Sequence, residues 1–445
     1  MEDLARRPQR IPLREEDARI LALETGPIRG HTLKVLVLED TGDPLSVEAL
    51  RRQLAERLPH EPRWRQRLVP DPTWPSGLAW EATPDIDVAR HVEDVRADGA
   101  LDDDGLRGVI ADAMTEPLPR DRPLWTVQVV PRLADGRSAL LWKVHHCLAD
   151  GSTVMRAGPR LLWNEERPAR SGPPPAPPGS GSTNRPAEAA RLARVLGYRG
   201  VLVREFRRVW GPSPLAGDVG PERAAAWTRC DLAALRDVGA AAVRPHATIN
   251  DVMLTAVAGS LRGWLLARGR PASVMKAQVP VSMHPAAGDD REGNRDSFLL
   301  VRLPINEPDP VARLVTIARA TRRRKNRSDA RAIYALRASL SHAPAGMRRR
   351  LQNLVQGPRE YSLNISNVPG PRGPISVLGR HVEALYSFAE IAPHHGLRIA
   401  AVSLDGRLYL GLLADPRLVP DLGELAGGID AQVRLLQDGL AGSSS

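Results

Sequence analysis

Ala139-Leu140-Leu141-Trp142-Lys143-Val144-His145-His146-Cys147-Leu148-Ala149-Asp150-Gly151 is the stretch on which the reading of this chain turns. Its first six residues form a strand-like apolar run, and a change of composition closes it. Side chains alternate along a strand, so the two adjacent imidazoles are expected on opposite faces. His146 then shares a side with Leu140, Trp142 and Val144, and His145 shares the more polar side with Leu141 and Lys143. An imidazole held in an apolar space can take a proton from a hydroxyl, amine or thiol near neutral pH. Asp150 can fix the loop by hydrogen bonding or ion pairing, and Gly151 permits a tight exit into the next helix. The run is a candidate general-base site; a metal-ligand fragment or a satisfied structural pair is the competing reading. Zinc sites need further Cys, His or carboxylate ligands at short spacing, and none follows, so no metal is expected.

With 445 residues the chain is long enough for two domains with substantial cores. A hydrophobic fraction of 42% and a charged fraction of 26% are those of a soluble globular protein. Cys147 and Cys230 are the only cysteines, which points to a reducing compartment rather than a disulfide framework. Cys147 reads as a small packing residue, not a nucleophile. The N-terminus lacks the apolar core of a secretion signal, and no apolar run approaches ~18 residues, so a cytoplasmic protein is expected. The net charge of +10 is carried almost wholly by Arg, with Lys only at 34, 143, 276 and 325. A basic surface favours phosphate groups or an anionic membrane face.

Strands are expected at 31–38, 124–130 and 139–146, with helices at 47–56 and 152–163. Composition shifts sharply at 168–186, where Ser171-Gly172-Pro173-Pro174-Pro175 opens a linker that cannot build a core. Beyond it, Thr248 is placed as a helix N-cap with Asp251 at the capping-box spacing. That helix runs to about 268, with Ile249, Val252, Met253, Val257, Leu261, Trp264 and Leu265 on one face. Strands follow at 274–281, 298–303, 363–365, 399–404 and 408–413, and a helix at 421–436. The expected organisation is an α/β chain with a first lobe at 1–167, a linker and crossover at 168–213 and a second lobe at 214–445. The basic run at 319–331 reads as the solvated face of a helix whose apolar side carries Val311, Leu314, Val315 and Ala318. No nucleic-acid-binding spacing accompanies it. His394-His395 lacks a downstream Asp-Gly and reads as structural or exposed. Nothing resembles a nucleophile elbow around Ser282 or Ser366.

The run from His145 to Gly151 resembles the HHxxxDG signature of the CoA-dependent acyltransferase superfamily, which includes peptide condensation domains. Further blocks resemble the bacterial wax ester synthase/diacylglycerol acyltransferase family. They are Pro123-Leu124-Trp125, Asn250-Asp251-Val252, Val279-Pro280-Val281-Ser282, Gly293-Asn294 and Ser366-Asn367-Val368-Pro369-Gly370-Pro371. Any one block is weak; the set runs in family order over nearly the whole chain. The resemblance implies two chloramphenicol-acetyltransferase-like lobes, each a mixed sheet with flanking helices, and an active-site tunnel between them. It implies that His146, beside His145, takes the acceptor's proton and returns it to the CoA thiolate without a covalent acyl-enzyme. Asp150 would orient the loop. Gly151, Asn250, Asp251, Ser366, Asn367, Pro123, Leu124 and Trp125 would shape the site, with Asn250 or Ser366 able to donate to an oxyanion. Acyl-CoA is the implied co-substrate, with no permanently bound cofactor. Diacylglycerol or a long-chain alcohol is the implied acceptor, reached through peripheral contact with a membrane or lipid body. A specialised-metabolite hydroxyl or amine is the alternative acceptor, and a non-catalytic lipid- or protein-binding relative the alternative class. The related pattern pairs the aspartate with an arginine that often follows the PVS block, whereas here Met283-His284 stands there; Arg291 is a candidate for the missing cation, and the partner of Asp150 stays open. The 319–331 run would alternatively meet CoA phosphates or anionic lipid.

Overall fold

The apolar run at 31–38 pairs antiparallel with the run that ends at His145, and a sheet grows outward from these two strands. The computed structural model describes residues 10–24, 26–74, 76–95, 99–165, 213–282, 296–326 and 361–441. The first half contributes strands β1 (Arg10–Pro12), β2 (His31–Leu38), β3 (Gln66–Pro70), β4 (Leu78–Ala82), β5 (Val92–Asp94), β6 (Trp125–Val130), β7 (Ser138–His145) and β8 (Asn164–Glu165). Its helices are α1 (Glu15–Ala22), α2 (Val47–Arg57), α3 (Asp103–Thr115) and α4 (Gly151–Leu161). The second half contributes β9 (Ala224–Asp231), β10 (Met275–Ser282), β11 (Asp296–Leu303), β12 (Leu363–Val368), β13 (Ile375–Val377), β14 (Arg380–Ala389), β15 (Leu397–Leu404) and β16 (Arg407–Ala414). With these come α5 (Leu232–Ala242), α6 (Ile249–Ala267), α7 (Pro310–Asn326) and α8 (Leu422–Ala441).

Two mixed sheets result, ordered β5-β6-β7-β2-β14-β13-β8 and β11-β10-β12-β15-β16-β9, beside a small sheet β1-β4-β3. This is the mixed α/β, two-lobe architecture that the sequence leads one to expect. Every residue of β2 and β7 is buried, because helices or strands cover both faces, so these strands show no hydrophobic alternation. The sheets do not follow the two halves of the sequence. Strands β13 and β14 come from the second half yet extend the first sheet, β14 pairing with β2 from Val382 to Ala389. The same β14 packs on β15 and β16 of the second sheet and so forms the seam. At Gly411 a Cβ would stand 2.2 Å from the Ser387 carbonyl oxygen, so only glycine lets β16 approach β14 this closely.

In the second lobe α6 is the central helix. Thr248 caps it and Asp251 closes the capping box, as the spacing predicts. Instead of one apolar face, α6 is enclosed on nearly all sides, since α5, α7 and α8 pack around it and it faces the sheet. Two other boundaries differ from expectation. β7 stops at His145, which leaves His146 in the turn, and β12 continues to Val368, which puts Ser366 and Asn367 in the sheet. The linker at 168–186, His284, Arg291, Gly293-Asn294 and the 327–331 end of the basic run lie outside the described residues.

Candidate active site

Backbone bonds hold the two histidines at the end of the first sheet. The His145 N–H donates to the Leu124 carbonyl at 3.0 Å, and the His146 N–H to the Gly30 carbonyl at 2.9 Å. His145 is fully buried, with Nε2 2.7 Å from Glu24 Oε1 and Nδ1 accepting from the Cys147 N–H at 3.1 Å. An accepting Nδ1 requires the hydrogen on Nε2, so the neutral ring has both nitrogens engaged. Burial holds its pKa below the ordinary imidazole value, outweighing the pull of Glu24. The face shared with Lys143 is closed off, contrary to the expectation of a polar side. α3 lies over it, and the Lys143 ammonium donates to the carbonyls of Ala113 at 2.9 Å and Glu116 at 3.2 Å. Burial brings that amine down to about 8.

His146 has different surroundings. Burial pushes its pKa well below the ordinary value, and Arg398, Lys34 and His145 add to the effect, in that order. The residue keeps some accessible surface while Nε2 itself is shielded. The ring is therefore neutral at physiological pH, in the form able to accept a proton.

Asp150 is the N-cap of α4. Its Oδ1 accepts from the Thr153 N–H at 2.7 Å and from the Ser152 hydroxyl at 2.8 Å, which satisfies donors left open at a helix start. Gly151 has no positive φ, so its expected role in a tight exit is replaced by a spatial one. A Cβ there would lie 3.3 Å from Val368 Cγ2 and 3.9 Å from Lys34 Nζ, so β12 and β2 both close on the first residue of α4. This brings the block around Ser366 and Asn367 to the HHxxxDG loop. Those two residues are half-buried on β12, paired with Ala400 and Ala401 of β15.

Arg63 clamps the intervening loop, donating to the carbonyls of Leu148 at 3.1 Å and Cys147 at 3.2 Å while its guanidinium lies over the Trp80 ring. The Cys147 thiol is buried and its pKa is pushed well above the ordinary value, which leaves no thiolate for nucleophilic attack. Pro123, Leu124 and Trp125 support the end of β7 from behind. Trp125 Nε1 donates to the Trp64 carbonyl at 2.9 Å, and His91 stacks on the indole. Asn250 is half-buried at the second position of α6. Asp251 Oδ2 takes the Thr248 N–H and hydroxyl, both at 2.8 Å, and Oδ1 takes the Thr321 hydroxyl at 2.6 Å. That is a helix-capping arrangement.

Four residues that the sequence does not single out belong to this neighbourhood: Glu24, Lys34, Arg63 and Arg398. Lys34, in the middle of β2, donates to Ser387 Oγ at 2.5 Å and to Thr32 Oγ1 at 3.4 Å. Burial and then Arg398 lower its amine to about 7, against an opposing pull from Asp150. Arg398 donates to the Glu390 carbonyl at 2.9 Å, and the Glu390 carboxylate pairs with buried Arg223 at 2.9 Å. A lone lysine in an otherwise apolar strand was the one available signal. Glu24 and Arg398 have none, because the histidines they act on lie far off in sequence, at 145 and 146.

Residues 13–210 match the wax ester synthase/diacylglycerol acyltransferase catalytic domain, and residues 292–437 match the WS/DGAT C-terminal domain. The tgs1 protein of Mycobacterium tuberculosis, named as a diacylglycerol O-acyltransferase, is 33% identical over 414 residues, which cover 87% of this chain and 88% of that protein. A second M. tuberculosis protein with the same naming is 29% identical over 467 residues, covering 96% and 90%. Among solved structures, the wax ester synthase/diacylglycerol acyltransferase of Marinobacter aquaeolei gives a TM-score of 0.70 at 24% identity, covering 97% of this chain and all of that one. A starter condensation domain of rhizomide synthetase, in complex with C8-CoA and Leu-SNAC, gives 0.62 at 15% identity, covering 97% and 94%. These two similarities concern the fold.

Proposed function

The chain belongs to the wax ester synthase/diacylglycerol acyltransferase family and is an acyltransferase; from that premise we propose that it moves a fatty acyl group from acyl-CoA to diacylglycerol or a long-chain alcohol, with His146 as general base. The observation that carries the proposal is a neutral, largely buried imidazole with electrostatic neighbours from both sheets, Lys34 on β2 and Arg398 on β15.

The acceptor hydroxyl gives its proton to His146 as its oxygen attacks the thioester carbonyl. The tetrahedral oxyanion then collapses, the C–S bond breaks, and the imidazolium returns the proton to the departing thiolate. Burial and the neighbouring cations make that imidazolium a strong acid, which favours the second transfer. A direct transfer agrees with the protonated, enclosed Cys147. His145 acts as a positioning residue, since Glu24 and the Cys147 N–H occupy both its nitrogens. Asp150 orients the loop through the cap of α4. Ser366, Asn367 and Asn250 line the approach rather than carry the proton. Among the described residues no helix is long and apolar enough to cross a membrane. The insolubility of the proposed acceptors and products is what supports peripheral contact with the inner face of a membrane or with a lipid body.

Thiol release from acyl-CoA, measured against a panel of diacylglycerol, long-chain alcohol, short hydroxyl and amine acceptors, tests the proposal. Turnover is expected with the first two. His146→Ala should lower kcat by about 10²- to 10⁴-fold. Unchanged turnover in that variant removes His146 from the base role. Turnover only with amines or short hydroxyls reassigns the acceptor, and no thiol release with any acceptor leaves a binding protein.

A further inference from the structure

Lys34 Nζ lies where three elements meet. It is on β2, it bonds Ser387 of β14, and it sits 3.9 Å from the position a side chain would take at Gly151, the first residue of α4. A cation at a helix N-terminus is opposed by the helix dipole, and the Asp150 carboxylate at the cap offsets that opposition. A methionine or leucine would fill the same place without desolvating a charge, so packing alone does not call for an amine.

We propose that Lys34 is a positioning residue for the reaction, and that its ammonium weakens His146 as a base while the free amine leaves it stronger. The inference rests on His146 being the general base. The charged groups facing Lys34 are Asp150 at the start of α4, Arg398 on β15 and His146 in the turn after β7; Thr32 and Ser387 are uncharged. The amine titrates at about 7, while His146 stays neutral through that range. A single proton on Lys34 therefore changes the strength of the base without changing its protonation.

The test is the pH profile of kcat/KM for acyl-CoA, read as thiol release from pH 5.5 to 9. In the native protein the rate should climb about three- to tenfold through an inflection close to neutrality, as a Brønsted dependence on base strength requires. Lys34→Met has no charge at any pH and should keep the higher rate into the acid range. Lys34→Arg is charged throughout and should stay at the lower rate. A packing defect would depress both variants alike. Ser387→Ala removes an acceptor for the ammonium and should move the inflection to lower pH, which decides the matter if either lysine variant fails to fold. An inflection unmoved in all three variants overturns the proposal. So does a uniform loss in Lys34→Met with full rate in Lys34→Arg, because that pattern assigns the charge to oxyanion stabilisation. His146→Ala separates the two readings: if it retains turnover the base assignment fails, and if it is inactive while the Lys34 variants keep the native profile, only the role of Lys34 fails.

Discussion

Asp150 joins the histidine turn to α4 through one carboxylate oxygen that serves two donors. Asp150→Ala should lose about 1 kcal/mol of stability, the usual value of an N-cap, and lower kcat as the loop loosens. Asp150→Ser restores a capping oxygen without the charge. It should recover most of the melting temperature but not the rate if the carboxylate also balances Lys34. Equal recovery of both would reduce Asp150 to a cap. At this scale the motif residues were legible because the spacing places two imidazoles at the end of a strand and the resemblance of the whole run singles them out. That Asp150 caps α4 was not read from the sequence. Nor were the partners. Glu24 reaches His145 across 121 positions and Arg63 reaches Leu148 across 85, and no local pattern encodes such pairings. Gly151 was read as the residue that permits a tight exit, but its backbone is ordinary; what the structure shows there is the close approach of Val368, with Lys34 in ordinary contact distance.

Elements with strong end signals were read to within a residue or two. Thr248 and Asp251 announce α6, and Thr248→Ala should cost about 1 kcal/mol, visible as a lower midpoint in urea with an unchanged slope. Strand β14 was missed. Its sequence places Arg380, His381 and Glu383 among apolar residues, and the register shifts between Val382 and Ala384, so the period-2 pattern breaks at its start. Gly411→Ala probes this strand directly, because the new methyl group would meet the Ser387 backbone oxygen. A loss of about 1–3 kcal/mol is expected, together with lower activity, since Ser387 also holds Lys34. Full native stability in that variant would mean that β14 and β16 separate without penalty.

For the molecule as a whole, the buried titratable groups set a pH dependence of stability. His31, His91, His145 and His146 all have pKa values held below the ordinary one, chiefly by burial. The unfolded chain therefore binds protons first as pH falls through about 6.5, and stability drops, by up to about 1.4 kcal/mol per pH unit for each group. Lys34 at about 7 and Lys143 at about 8 act in the same direction on the alkaline side. Their folded forms release protons while the unfolded chain still holds them, so stability should go on rising past neutrality, until above about pH 8.5 the unfolded thiols ionise while buried Cys147 and Cys230 stay protonated and oppose the rise. Urea titrations at pH 5, 7 and 9 should give midpoints in that ascending order; a flat or descending series contradicts the burial of these groups. Two-lobe organisation was legible from the ordered motif blocks. The exchange across the seam was not, because strand partnering is decided by packing rather than by local composition. That exchange gives the protein a property of its own. A cut in the stretch between the halves should leave the first piece without β13 and β14, while the second keeps all six strands of its own sheet, and the strand at 380–389 would still lace one piece to the other. Separately produced fragments should be inert, and mixing them during refolding should restore turnover, making this chain a natural candidate for a split reporter.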